Sequence, residues 1–130
     1  MKASIIASTL ALFGSAIAFP GAAPPVPLST IQLANDVSGA NAIRSLPANG
    51  VANTFSVLFA NTVLVKGGQV KATSVQNVAP QGVNVNCVVR NAAGAPIGTI
   101  NNQKTFLDLD GVEGSAVETD VSAFTITCTL

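Results

Sequence analysis

Five carboxylates gathered in one stretch are the side chains best placed to do chemistry: Asp108, Asp110, Glu113, Glu118 and Asp120, within FLDLDGVEGSAVETD. Two of them could act as acid and base on a glycosidic bond. Oxygen ligands on a loop could also hold calcium, with Asp108, Asp110 and Glu113 as donors. The spacing departs from an EF-hand loop, because Gly111 arrives too early and a third oxygen ligand is missing. The plainer reading is preferred: a strand end, an Asp110-Gly111 turn, and solvated carboxylates around it. If strand alternation holds, the intervening Leu109 puts Asp108 and Asp110 on the same sheet face.

The rest of the catalytic inventory is missing. Histidine is absent, which removes Ser-His-Asp and Cys-His arrangements and the commonest zinc ligand. Tryptophan and tyrosine are absent too, and with them the usual platforms for sugar rings and bases. Phe55, Phe59 and Phe124 fall on inferred core faces. Asn35-Asp36 before Ser38-Gly39 is explained by side chains that hydrogen-bond their own turn. Arg44 reads as isolated between turns and solvated. No catalytic residue, metal or cofactor is expected.

Cys87 and Cys128 are the only cysteines, and each sits in an alternating segment. Val83, Val85, Cys87 and Val89 point one way, against Asn84, Asn86 and Arg90. Phe124, Ile126, Cys128 and Leu130 point one way, against Thr125, Thr127 and Thr129. Side chains alternate across a strand, so both sulfurs lie on apolar faces, and a single buried disulfide between them is expected.

The amino terminus suggests where that bridge would form. Met1-Lys2 precedes an apolar stretch ending in Ala16-Ile17-Ala18, which reads as a signal peptide, residues 1–18, cleaved after Ala18. The stretch is short for a membrane span, and no basic stop-transfer cluster follows. Export leads to an oxidising compartment, where paired cysteines bridge. No membrane insertion is expected once the signal is removed.

Residues 19–28, FPGAAPPVPL, hold four prolines and read as a flexible lead-in to a single domain over residues 29–130. Charged residues make up only 9% of the chain, and six basic side chains balance six acidic ones. Such a surface has no basic patch to attract nucleic acid. No Asn-x-Ser/Thr sequon is present.

Strands and turns must position these groups. Ile31 and Leu33 alternate with polar neighbours before the turn at residues 35–39. Phe55, Val57 and Phe59 alternate with Thr54, Ser56 and Leu58, predicting a strand. Gly67-Gly68 between residues 63–65 and 70–72 predicts a tight hairpin, with Lys66 and Lys71 solvated. Residues 74–78 extend that hairpin through a bulge, and residues 80–82 break it. Strands are further predicted over 83–89, 97–100, 105–109 and 124–130, while 112–117 is ambiguous. No helical period is sustained. About eight short strands with regular turns predict an all-β fold, an antiparallel β-sandwich or partly closed barrel with one disulfide.

IQLANDVSGANA, NCVVRNAAGAPIG, LDLDG and the terminal FTITC together resemble small secreted β-sandwich proteins of filamentous fungi. Some similar proteins act as effectors or cell-death elicitors on plant hosts. The resemblance implies a secreted, non-enzymatic interaction protein acting on an extracellular protein or polysaccharide. A structural or carbohydrate-binding role in the fungal cell wall is the alternative, suggested by the neutral Asn/Thr-rich surface.

Overall fold

Strict alternation builds the first sheet. The computed structural model describes residues 26–78, 83–112 and 114–130. The expected signal peptide, most of the lead-in, the break at 80–82 and Glu113 lie outside the described residues. In β1 (Leu28–Asn35) Ser29, Ile31, Leu33 and Asn35 are buried, and the residues between them are more exposed. Asn35 makes the turn that follows: its Oδ1 accepts from the backbone N–H of Val37 and Ser38. The chain returns as β2 (Ala40–Pro47), antiparallel to β1 from Leu28↔Pro47 to Asn35↔Ala40. Arg44, expected between turns, lies in the middle of β2 opposite Ile31. The strand carries little sequence signal, because Ala40 and Ala42 give almost no apolar contrast with their neighbours. Backbone pairing reaches back into the lead-in, where Ala48 N–H bonds Pro27 C=O at 2.9 Å.

After β2 come β3 (Ala52–Thr54) and a helical turn, α1 (Phe55–Leu58). The strand expected over 55–59 is therefore corrected. Phe55 and Phe59 are buried, but Val57 is 75% exposed. Positions i and i+4 share a face in both a helix and a strand, so the two phenylalanines fit either period; only Val57 separates them.

The glycine hairpin forms as expected. β4 (Val65–Lys66) pairs with β5 (Gln69–Ala72) around Gly67 and Gly68, whose φ angles are 59° and 80°. Positive φ at both central positions is the requirement of a type I′ turn, which glycine meets without steric strain. Lys66 is not simply solvated: its Nζ lies 2.9 Å from Glu118 Oε2.

At Thr73 the chain leaves this ribbon, and β6 (Ser74–Asn77) joins the first sheet beside β1 instead of prolonging the hairpin in place. Thr73 holds the corner. Its N–H donates to Ala34 C=O, its C=O accepts from Leu109 N–H, and its hydroxyl donates to Asp36 Oδ2 at 3.0 Å.

The remaining strands are β7 (Asn86–Arg90), β8 (Pro96–Ile100), β9 (Phe106–Asp108), β10 (Thr119–Asp120) and β11 (Thr125–Thr129). Eleven strands are thus described, more than the eight or so expected. They form three antiparallel sheets, ordered β9-β6-β1-β2, β10-β5-β4 and β3-β11-β7-β8. The sheets do not close into a barrel. The two four-stranded sheets bury their inner faces in one apolar core, a sandwich-like packing that also takes in Phe55, Phe59, Val70 and Phe124. Gly98 of β8 lies so close to Leu107 of β9 that a Cβ there would overlap the leucine side chain.

Cys87 and Cys128 face each other directly across the β7–β11 ladder, with Cα atoms 4.0 Å apart, and form a disulfide with no solvent exposure. The alternation that places them weakens at its ends. Val83 lies before β7 and Leu130 after β11, and both are exposed. Among the described residues no helix is long and apolar enough to cross a membrane.

Candidate functional site

The folded chain divides the acidic stretch into separate groups. Asp108, at the end of β9, and Asp110, just after it, line one depression of about 220 Å³ with Asp36, Thr73 and residues 112 and 114–116. Alternation thus does bring Asp108 and Asp110 to a common surface. Glu118 and Asp120 are engaged elsewhere. Asn35 Nδ2 donates to Glu118 Oε2 at 2.7 Å, and Lys66 Nζ donates to the same oxygen. These bonds, Asn35 first, hold the Glu118 carboxyl below its ordinary range. Asp120 is lowered likewise by the hydroxyl and N–H of Ser122.

Within the depression Asp110 and Asp36 are already hydrogen-bonded, whereas Asp108 makes no hydrogen bond to a described residue. Asp110 Oδ2 accepts from Val117 N–H at 2.9 Å and its Oδ1 from Val112 N–H at 3.0 Å. Asp36 Oδ2 accepts from Thr73. Among the described residues no three acidic, histidine or cysteine side chains are placed to hold a metal ion. Asp110 and Asp36 therefore tie loops together; the Asp110 turn forms as expected, while Glu118 and Asp120, expected to be solvated, are bonded to neighbouring side chains.

Asp110 is the knot of the loop over residues 110–117. The Val117 and Val112 N–H groups, in that order, lower its carboxyl pKa from 3.8. A lowered carboxylate stabilises the folded state above its unfolded pKa and loses that contribution as pH falls through the folded value. Acidification below about pH 4 is therefore expected to loosen this loop. Asp110→Ala should do so at neutral pH, raising amide exchange at Val112 and Val117. Global stability should change by less than about 1 kcal/mol, because both N–H groups can turn to water. Residue-resolved hydrogen exchange checks both.

A second surface was not anticipated from the sequence. Register places Ile43, Gln32, Gln76 and Phe106 in one row across the outer face of β2, β1, β6 and β9. At strand spacing this row spans roughly 15 Å. Phe106 is 48% and Ile43 51% exposed. Neither glutamine amide has a hydrogen-bond partner among the described residues, whereas in the adjoining row Thr30 and Ser45 bond each other at 2.9 Å. The signal for Phe106 was present: with Leu107 and Leu109 facing the core, residue 106 must face out.

The outer face of the disulfide sheet is a different kind of surface, carrying Thr54, Thr125, Thr127 and Thr99 around Val88, with Arg90 at its margin. Comparison of the chain with family models, with characterised proteins and with solved structures finds no match in any of the three.

Proposed function

We propose that this is a secreted, non-enzymatic interaction protein, effector- or elicitor-like, that engages a host or extracellular component. The observation that carries the reading is the exposed Ile43-Gln32-Gln76-Phe106 row. It offers two apolar contacts and two amides with no partner among the described residues on one sheet face, whereas Asp36 and Asp110 of the acidic depression are committed to their own loops. Secretion is supported by the apolar amino-terminal segment ending in Ala16-Ile17-Ala18 and by the buried bridge.

Infiltration of purified protein into leaf tissue, with ion leakage and cell death as readouts, tests the proposal. A partly exposed aromatic on a binding face is a typical anchor, so Phe106→Ala should weaken the response or the binding at least tenfold, to judge from about 1.4 kcal/mol or more per anchor. Its unfolding midpoint should remain close to that of the native protein. No response and no binding across relevant hosts would overturn the reading.

One observation favours a cell-wall role as the second reading. Each glutamine amide offers both a donor and an acceptor, which suits a hydroxyl-rich neutral polymer as well as a protein. Co-sedimentation with glucan, chitin and mannan separates the two, since an effector acting on a protein would stay in the supernatant.

A further inference from the structure

We propose that the edge of β2, which has no neighbouring strand on its outer side among the described residues, is a strand-pairing site for a second copy of this chain, held closed by Arg44. The ladder fixes which groups face outward. Ala48 N–H bonds Pro27 C=O, while Thr30 and Ala34 carbonyls accept from Val78 and Thr73 on the opposite side of β1. In an antiparallel ladder alternate residues point to alternate neighbours. Ala40, Ala42, Arg44 and Leu46 therefore direct their backbone groups to β1, and Asn41, Ile43 and Ser45 direct theirs to the open edge. Pro47 shares that outward phase, so its missing N–H leaves the β1–β2 ladder intact.

Natural edge strands are usually blunted by lysines, bulges or inward-pointing charges. β2 has no lysine, and its register with β1 runs unbroken over eight residues. What it has is Arg44, on the core-facing side of the strand. Arg44 Nε donates to Leu58 C=O at 3.1 Å, and its Nη1 turns back to Ile43 C=O at 2.9 Å. One guanidinium thus ties the edge to α1 and occupies the acceptor at its centre.

The occupant follows from the symmetry of the edge. A two-fold axis through Ile43 pairs Ile43 with its own copy and Asn41 with Ser45. About six hydrogen bonds form, two for each pair, and the β9-β6-β1-β2 sheets of the two copies become continuous. Ile43, already exposed, meets its copy, and on the inner face Arg44 falls opposite Ala42, so like charges are not juxtaposed. Pairing requires the guanidinium to release the Ile43 carbonyl.

Arg44→Met keeps the apolar stem and deletes the donors. Light scattering behind a sizing column should show the native protein as a monomer and the variant doubling its mass as concentration rises. Ser45→Pro in the variant removes an outward N–H and should restore the monomer. A folded Arg44→Met that stays monomeric overturns the proposal, as does association that Ser45→Pro leaves untouched, or a native protein that already pairs through β2. If Arg44→Met loses its β-type circular dichroism, Arg44→Lys, which keeps stem and charge without the forked donors, is read in the same way.

Discussion

Replacing both bridge cysteines with alanine should lower stability by about 4 kcal/mol and the thermal midpoint by roughly 15–25 °C. The bridge closes a segment of 41 residues between Cys87 and Cys128, and the chain-entropy relation assigns a loop of that length most of this value. Total stabilities of about 5–15 kcal/mol make it a large fraction for so small a domain. The double substitution is the right comparison, because a single one leaves an unpaired partner thiol in the core. Calorimetry of the native and doubly substituted proteins measures the difference.

The burial of the bridge makes a kinetic statement as well. Neither sulfur is exposed, so a reductant reaches the bond only when β7 and β11 separate. Reduction under native conditions should follow the rate of opening of that sheet and accelerate steeply in denaturant. Thiol titration over time, with and without denaturant, reads this directly. The residues just beyond the bridge on either strand, Ile126 opposite Val89 and Thr127 opposite Val88, remain laddered without it. The alanine variant should accordingly keep the β architecture at low temperature and lose its margin on heating.

How far the fold could be read from residues depends on the contrast each segment offers. Ile31, Leu33, Cys87, Val89, Ile126 and Cys128 alternate with polar partners, so strand, facing and bridge were all legible. Gly67-Gly68 was equally so, since few residues but glycine tolerate positive φ twice in succession. β2 was hidden because alanines occupy its inner positions, and with it went the location of Arg44. Thr73 was hidden for another reason: its neighbours on both sides are strand-like, and only tertiary bonds to Ala34 and Leu109 show that the chain changes sheets there. In the acidic stretch the local Asp110 turn was legible, but the capture of Glu118 by Asn35 joins residues 83 apart in sequence, which no local pattern encodes. Phe106 belongs to the legible class, because its alternation with the buried Leu107 and Leu109 turns it outward.

The misread segment at residues 55–59 supplies the other large effect. Phe55→Ala should destabilise by about 3–5 kcal/mol, the usual cost of deleting a fully buried aromatic. Its ring meets Phe59 edge-on at 5.7 Å and lies tilted over Phe124 at 6.3 Å, so the truncation opens a cavity between two elements. The backbone cannot easily follow it inward, because Phe55 N–H is bonded to Phe124 C=O and Ser56 N–H to Ser122 C=O. Val57→Asn should cost no more than about 0.5 kcal/mol, as at other surface positions. A strand over the same residues makes the opposite demand: Val57 would share the buried face of Phe55 and Phe59, and a polar group there would cost several times as much. Urea unfolding of the two variants therefore discriminates between the periods. A severe loss for Val57→Asn would restore the strand and remove α1, and with it the Leu58 carbonyl that anchors Arg44 at the edge of β2.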